Sequence, residues 1–315
     1  DYKYKISSSN PNFGRWQIAG RDKFNVDSNL IDDWMDENLL SFTKILHWIY
    51  KFELCMCQYV FTSKIFSMFD ENTLKILSTL DIFSNRNSRL QPVGIAPYYF
   101  SCSVEEEKRA FERADKIIAI QREDAKFFKA NTDKPVHTIP YLTKKKYLAQ
   151  KNINGKLSVG YLASTNEPNI HAIERFISCI KGVDTVHLHI AGSISDSIKQ
   201  RQDNVSVIGS VVDIEKFYTE HDLYINPDEF DSGLKIKTVE ALAYGRPIIC
   251  TAASSSGIDV SAPYHLAKDA AQCADLVRAC IDNNTLLQEM HDESMRVYDS
   301  FVDKYKEQCT LKELI

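Results

Sequence analysis

The sequence lacks any apolar run of the ~18–20 residues that a membrane-spanning helix needs. Its first residues also lack the charged start and apolar stretch of a signal peptide, so we expect a cytoplasmic protein rather than one secreted by that route. An excess of basic charge is missing as well, since 38 Lys and Arg residues stand against 43 Asp and Glu residues. The net charge of −5 argues against nucleic acid as the main partner.

Paired metal-binding motifs are also missing. The eight cysteines are scattered, and only Cys55 and Cys57 are close together, without the second pair that a zinc site needs. We therefore expect reduced thiols in apolar surroundings. His187 and His189 share one face of a predicted strand, a pattern that favours packing or a hydrogen bond over a metal pair. The sequence predicts a protein without a metal and without a bound cofactor.

Short apolar segments alternate with helical patterns along the chain, in two series. The series are separated by a polar linker at 143–155, and they place strands at 54–61, 74–78, 116–120 and 136–139, then at 157–163, 185–191, 205–209, 223–226 and 247–251. Strands that alternate with helices form parallel sheets covered on both faces. We therefore predict an α/β protein with two Rossmann-like, doubly wound domains, at 1–145 and 156–290, followed by a final helix at 291–315.

The predicted helices cover the intervals between these strands. They lie at 32–50, 63–69, 103–114, 169–180, 195–202, 213–221, 233–244, 269–282 and 286–311, with one more between the strands at 116–120 and 136–139. Ser103 is the expected N-cap of its helix, with Glu106 as the partner in a capping box. The glutamates at 105–107 then indicate a charge cluster at a helix start rather than an acid/base pair.

One segment, residues 222–258, combines features that suit a nucleotide. Its predicted helix begins near Gly233, where unpaired backbone N–H groups and a partial positive charge favour a diphosphate. Lys237 lies one turn further and can add a full charge, and Glu240 can accept hydrogen bonds from ribose hydroxyls. Lys235 is predicted to point away from this face. The alternative interpretation is an ordinary surface pair between Lys237 and Glu240.

The same segment resembles a known family. Its stretch GLKIKTVEALAYGRPIICT is similar to the nucleotide-sugar helix of glycosyltransferase family 4 and its GT-B relatives, and the segments at 159–177 and 208–227 extend the similarity. The resemblance implies two Rossmann-like domains facing a cleft, with the final helix crossing back to the first domain. It also implies transfer of a sugar from a nucleotide-sugar co-substrate to a glycan or lipid-linked glycan, with retention of configuration. No metal is expected, because no acidic D-x-D motif stands at the end of a predicted strand. The upstream segments are similar to the acceptor domain of bacterial polysaccharide-assembling members. The expected location is the cytoplasm, and peripheral association with the inner face of the membrane stays open.

The resemblance assigns roles to individual residues. It makes Glu240 the ribose contact and Lys237 the phosphate contact, and the further donor-binding residues that we expect are Ser164, Asn166, Gly209, Val212, Ser232, Gly233 and Leu234. Acceptor binding is expected from polar residues that follow strands of the first domain, namely Ser63, Lys64, Asp81 and Arg86. Asp81 would order the acceptor hydroxyl, completing a catalytic set with Lys237 and Glu240. Arg86 would hold an anionic group, and a solvated loop or helix cap is the alternative for all four.

Three departures from the family pattern keep other functions open. Many members carry a first glutamate eight positions before the second, where this chain has Ser232. Leu80 stands where relatives often have a histidine, and the first strands and glycine-rich loop are not recognisable, so the first domain is expected to be reduced or incomplete. The main alternative is a catalytically impaired nucleotide-sugar-binding or scaffold domain. An epimerase or phosphorylase of the same fold is a weaker one.

Overall fold

A computed structural model of the chain describes residues 29–306, apart from 151, 154 and 201. The predicted end of the last helix and Cys309 lie outside the described residues. The chain divides into two compact units, Asp1–Ile117 with Lys129–Pro135, and Ile118–Phe128 with Val136–Ile315. No helix in the described part of the chain is long and apolar enough to cross a membrane.

The first sheet contains strands β1 to β4, in that order. β1 and β2 are parallel, with Leu54 opposite Leu74. In chain order the elements are α1 (Glu37–Tyr50), β1 (Leu54–Gln58), a 3-10 helix (Val60–Met68), β2 (Leu74–Thr79), α2 (Arg86–Leu90), a 3-10 turn (Gln91–Val93), α3 (Val104–Glu112), β3 (Lys116–Ala119), α4 (Arg122–Asn131) and β4 (Val136–Thr138). The predicted helix at 63–69 is therefore part of a 3-10 helix, and α2 was not predicted.

α3 begins where the sequence predicts it. Ser103 is the N-cap, and its hydroxyl accepts a hydrogen bond from the Glu106 backbone N–H at 3.2 Å. The Glu106 carboxylate does not complete the capping box, since it accepts from the Ile31 backbone N–H at 2.7 Å instead. The prediction of Ser103 as N-cap is confirmed. The Glu106 carboxylate contacts Ile31, which is distant in the sequence, and not Ser103 as the capping box predicts.

The second unit contains a parallel sheet of order β7-β6-β5-β8-β9. Its elements are β5 (Leu157–Leu162), α5 (Glu167–Cys179), β6 (Val186–Ala191), a 3-10 helix (Ser193–Ser197), β7 (Val205–Gly209), α6 (Ile214–Glu220), β8 (Leu223–Asn226), α7 (Ile236–Ala243), β9 (Ile248–Cys250), α8 (Ala270–Ala279) and α9 (Asn284–Lys306), with two 3-10 turns at Ala253–Ser255 and Pro263–His265. The predicted α/β class and Rossmann-like sheet are confirmed. The predicted helix at 195–202 is only a short 3-10 helix.

The core of the second unit forms because apolar residues alternate along the strands. Val159 and Tyr161 of β5 and Leu188 and Ile190 of β6 are fully buried, and they belong to one cluster with Ile173 and Phe176 of α5. The strand order reverses between β5 and β8, so the chain leaves these neighbouring strands in opposite directions across the sheet. Ligands of such folds bind beyond the carboxyl ends of the strands at this switch point. A ligand is therefore expected to bind at the loops after β5 and β8.

Candidate functional site

The segment after β8 differs from the helix predicted for it. α7 begins at Ile236, with Lys235 as its N-cap residue, whereas the sequence predicted a start near Gly233. Gly233 is buried and has a φ of 54°, a left-handed conformation that glycine adopts at little cost. The chain therefore turns at Gly233 before it enters the helix. Lys237 and Glu240 remain within the first two turns of α7, three residues apart on one face.

Lys235 is buried and paired with residues of the loop before α7, a role that the sequence did not predict. Its ammonium lies 3.1 Å from the Asp228 carboxylate, and it donates to the Phe230 carbonyl at 2.8 Å and to the Ser232 hydroxyl at 3.3 Å. Burial alone raises the pKa of Asp228, but the Lys235 and Lys237 cations hold that pKa below its usual value. Helical periodicity does not apply to Lys235, because it is the extended N-cap residue and lies in a loop before the first turn of the helix.

Lys237 is half-buried and surrounded by neutral polar groups. Its ammonium donates to the Asn169 side-chain oxygen and to the Tyr161 hydroxyl, the latter at 3.4 Å, and it lies 5.1 Å from the centre of the Tyr161 ring. Among the described residues, no carboxylate lies within ion-pair distance of this ammonium. Burial lowers the pKa of Lys237 to about 8, and the Lys235 cation also lowers it, although the Asp228 carboxylate acts in the opposite direction. The result is a cation whose nearest partners leave its charge uncompensated.

Glu240 lies between two tyrosine hydroxyls. Tyr141 donates to one carboxylate oxygen at 3.1 Å and Tyr218 to the other at 3.5 Å. Burial raises the pKa of Glu240, while the two hydroxyl groups lower it. Neither hydrogen bond involves Lys237, so the two residues do not form the surface pair considered as an alternative. The carboxylate is oriented by its neighbours and keeps acceptor capacity for hydroxyl groups of a ligand.

The other expected donor-binding residues lie on three loops of the second unit. Ser164 is exposed after β5, and Asn166 is the N-cap of α5, where its side chain accepts from the Asn169 N–H at 2.9 Å. Ser232 and the buried Leu234 flank Gly233 in the loop before α7. Gly209 ends β7 and Val212 is fully exposed in the loop that follows it. Gly209 and Val212 therefore lie at the end of β7, which is separated from β5 by β6, whereas the other residues follow β5 or β8.

In the first unit, Asp81 and Arg86 bind each other. The Arg86 guanidinium donates to the Asp81 carboxylate at 3.2 Å and to the Tyr98 hydroxyl at 2.8 Å. Arg86 is buried, and 14% of the Asp81 side chain is exposed. The expectation that Arg86 holds an external anion is therefore corrected, because its partners are residues of the same unit. Asp81 retains a solvent-facing part.

Ser63 and Lys64 do not form a common binding surface. Ser63 is fully buried, and its hydroxyl accepts from the Arg113 guanidinium at 3.1 Å. Lys64 points elsewhere and pairs with Glu37 at 2.7 Å. Consecutive residues diverge here because they lie in a 3-10 helix, whose side chains fan out around the axis. The expected acceptor contact through Ser63 is thus contradicted by its burial.

Glu107 belongs to the acidic cluster predicted at the start of α3, and its side chain is buried in the first unit. Its carboxylate accepts the backbone N–H groups of Phe83 and Ser84, each at 2.9 Å, and the hydroxyl group of Ser84. Burial raises the pKa of Glu107 to about 7, although these hydrogen bonds lower it. α3 therefore holds the loop that joins Asp81 to Arg86 through one carboxylate.

We expect Glu107→Ala to lower the free energy of unfolding by about 2–3 kcal/mol at pH 5.5, because two buried N–H groups lose their acceptor. The fold disfavours the ionised carboxylate. The contribution of Glu107 is therefore greatest below its unfolded pKa and declines as the pH rises through about 7. Urea unfolding at pH 5.5 and pH 8 measures both effects, and the loss should be smaller at pH 8. Glu105→Ala, at an exposed position of the same helix, is the control and should be near neutral.

Tyr141 and Tyr161 carry no local signal of a site in the sequence, and Asn169 carries only that of a helix start. Tyr141 is 99 positions from Glu240 and Asn169 is 68 positions from Lys237, so no local pattern links them. Tyr161 occupies a core position of β5, where an aromatic residue indicates only packing. Only Asn169 had a local signal, since it follows the helix-starting Asn166 by three residues.

Residues 156–283 match the model of the family described as Glycosyl transferases group 1. This range extends from the start of β5 to just past the end of α8 and includes Lys237 and Glu240. No curated protein sequence matches the chain.

Several solved structures are similar to the chain. A point mutant of TarM from S. aureus has 16% identity and a TM-score of 0.64, over 85% of this chain and 58% of that one. Sucrose-phosphate synthase from Thermosynechococcus elongatus has 14% identity and a TM-score of 0.66, over 85% of this chain and 76% of that one. Anabaena Alr3699/HepE has 12% identity and a TM-score of 0.67, over 88% of this chain and 82% of that one. The chain thus spans less than two thirds of TarM. The expected GT-B fold and the resemblance to GT-B glycosyltransferases are confirmed, whereas membership of family 4 in particular is not.

Proposed function

We propose that this protein is a glycosyltransferase that moves a sugar from a nucleotide-sugar to a glycan or lipid-linked glycan, with retention of configuration and without a metal. The observation that carries the proposal is the half-buried Lys237 ammonium, which lies one helical turn from Glu240 and lacks a carboxylate partner among the described residues. A diphosphate supplies the missing negative charge, and the ribose hydroxyls supply donors for Glu240. The family match over 156–283 supports the same assignment.

The leaving group in this reaction is a nucleoside diphosphate, which gains negative charge as the bond to the sugar breaks. Lys237 would stabilise that charge in a half-buried environment, where an ammonium interacts more strongly than in water. Relatives of this fold have been crystallised with such ligands, since the TarM structure contains UDP and one HepE structure contains UDP and glucose. We propose UDP-sugars as the first donors to test.

Acceptor binding is proposed for the first unit, with Asp81 as the residue that orders the incoming hydroxyl. One of its oxygens accepts the Ile82 N–H at 2.8 Å and the other accepts from Arg86. Each carboxylate oxygen can accept a further hydrogen bond. The Arg86 pairing fixes the orientation of the Asp81 carboxylate, which suits a hydrogen-bond acceptor for a hydroxyl. Retention, like the acceptor class, is part of the proposal.

We expect the purified protein to transfer sugar from at least one UDP-sugar to an oligosaccharide or lipid-linked oligosaccharide, and to retain this activity in EDTA. The product would be detected by mass spectrometry and its anomeric configuration read by NMR. A panel of UDP-, GDP- and ADP-sugars, ranked first by thermal shift, identifies the donor. Loss of all transfer in EDTA, with recovery on adding Mg²⁺ or Mn²⁺, would contradict the metal-independent mechanism.

A second candidate is a nucleotide-sugar-binding or scaffold domain without catalytic activity. It is favoured by Ser232 in place of the first family glutamate and by the use of Lys235 to neutralise the nearby Asp228. Both candidates predict binding of a UDP-sugar, because both keep Lys237 and Glu240. Only the first predicts turnover. Tight donor binding with neither transfer nor donor hydrolysis would therefore favour the scaffold domain.

A further inference from the structure

Asn169 lies at the junction of the loop after β5 and α7. It is the third residue of α5, 5% exposed, and its backbone N–H is held by the Asn166 side chain. Its side-chain oxygen accepts from the Lys237 ammonium, and its side-chain nitrogen donates to the Ser164 carbonyl at 2.9 Å. Its backbone carbonyl also accepts from the Tyr161 hydroxyl, at 3.4 Å. One buried amide therefore contacts both the loop after β5 and the lysine of α7.

The orientation of this amide is determined by its neighbours. A carbonyl oxygen such as that of Ser164 can only accept a hydrogen bond, so the amide nitrogen must face it and the amide oxygen must face Lys237. The Ser164 loop is itself anchored, because Thr165 donates its N–H to the Ser193 hydroxyl at 3.0 Å. Gly192 allows its backbone to lie close to the Ala163 carbonyl oxygen, since a Cβ atom at position 192 would stand 2.2 Å from that oxygen. The side chain at position 169 must therefore donate to the Ser164 carbonyl and accept from the Lys237 ammonium.

We propose that Asn169 is a positioning residue for Lys237, which joins the loop at 163–166 to the ammonium so that both are presented to the donor diphosphate as one rigid element. The inference rests on the proposed function for the identity of the ligand, but the positioning itself concerns only residues of this chain. A neutral amide holds the ammonium without cancelling its charge, and a carboxylate in the same place would cancel it. This explains why an uncharged acceptor suits the position.

The test compares Asn169→Asp and Asn169→Ala with the wild-type protein. The pH titration of Lys237 is followed without any ligand, through the rate at which this lysine is acylated, measured by peptide mass spectrometry. We expect the midpoint to rise by about one pH unit or more in Asn169→Asp, because a carboxylate stabilises the ammonium. In Asn169→Ala the midpoint should fall, because the ammonium loses an acceptor. Opposite shifts are not expected from a residue that only packs.

The second measurement is the affinity for UDP by calorimetry at pH 7. Asn169→Asp should weaken binding about tenfold or more, since it places a negative charge beside the phosphate contact. Asn283→Asp is the matched control, because it adds the same charge at an exposed helix cap. The Asn283 side-chain oxygen accepts from the Leu286 N–H, and its nitrogen makes only a long hydrogen bond of 3.4 Å to the Ala279 carbonyl. This control should leave both the titration and the affinity unchanged.

The outcomes separate this inference from the proposed function. An unchanged Lys237 titration in both Asn169 variants overturns the positioning role. Shifts in the expected directions, combined with no binding of UDP to any variant or to the wild type, support the positioning and reject a UDP-sugar as the ligand. If Asn169→Asp fails to fold, the downward shift in Asn169→Ala still tests the contact.

Discussion

Lys235→Met is expected to lower the free energy of unfolding by about 3–5 kcal/mol, because it leaves the Asp228 carboxylate buried without its nearest cation. Both side chains of the pair are at least nine-tenths buried, so water cannot replace the lost partner. The variant also removes hydrogen bonds to the Phe230 carbonyl and the Ser232 hydroxyl, which hold the loop before α7. Urea unfolding followed by circular dichroism measures the loss.

Two companion variants show whether the buried carboxylate causes the effect. Adding Asp228→Asn to Lys235→Met removes the unpaired charge, so the double variant should recover a large part of the lost stability. Lys146→Met breaks an ion pair with Glu215 in which both side chains are substantially exposed, and its cost should stay within about 1 kcal/mol. A cost for Lys235→Met as small as that of Lys146→Met would show that Asp228 does not depend on the Lys235 cation.

Lys237→Met is expected to weaken the binding of UDP or a UDP-sugar by about 10- to 150-fold, the equivalent of one charge-assisted contact of ~1.5–3 kcal/mol. Stability should change little by comparison, because Lys237 has no carboxylate partner among the described residues to be left unpaired. Glu240→Gln should also weaken binding, since one oxygen that accepts ribose hydroxyls is replaced by an amide nitrogen. Calorimetry of donor binding, paired with urea unfolding, distinguishes a lost contact from a lost fold.

The pH dependence gives this prediction a second readout. The pKa of Lys237 is lowered to about 8, so the free protein loses this charge as the pH rises through 8. Donor affinity should then decline between pH 7 and pH 9 in the wild type. Lys237→Arg should retain its affinity over that interval, because arginine stays protonated. Lys181→Met, at an exposed lysine of the same unit, is the control for loss of a charge. Equal affinity at pH 7 and pH 9 in the wild type would contradict the role of the ammonium.

The alternation of strands and helices in the second unit could be predicted from the sequence almost completely. β7 and β8 were predicted with their observed ends, and β5 and β6 within one residue, because buried parallel strands leave short apolar runs between turn residues. The helix that carries Lys237 and Glu240 was also predicted, although its start was placed three residues too early. Their spacing on one face of α7 follows from helical geometry alone, so that part of the site could be assigned without a structure.

The first unit was predicted less well at its polar positions. The Ser103 cap is a local interaction between residues three apart, and it was predicted correctly. Glu107 was not recognised as buried, because its acceptor role depends on Phe83 and Ser84, which lie 24 and 23 positions away. Ser63 was assigned to an acceptor site because it follows a strand, but the 3-10 helix turns it towards Arg113. Polar residues near strand ends therefore require the tertiary structure before they can be assigned to a site.

The sequence by itself determined the fold class, the elements of the second sheet and the presence of Lys237 and Glu240 on one helix, since each depends on periodicity over a few residues. The tertiary structure decided which lysine is free to meet a ligand. Lys235 is paired with Asp228, whereas the Lys237 ammonium contacts the neutral groups of Asn169 and Tyr161 and no carboxylate in the described part of the chain. Charge compensation depends on residues brought together from distant parts of the chain, and no local pattern in the sequence records it.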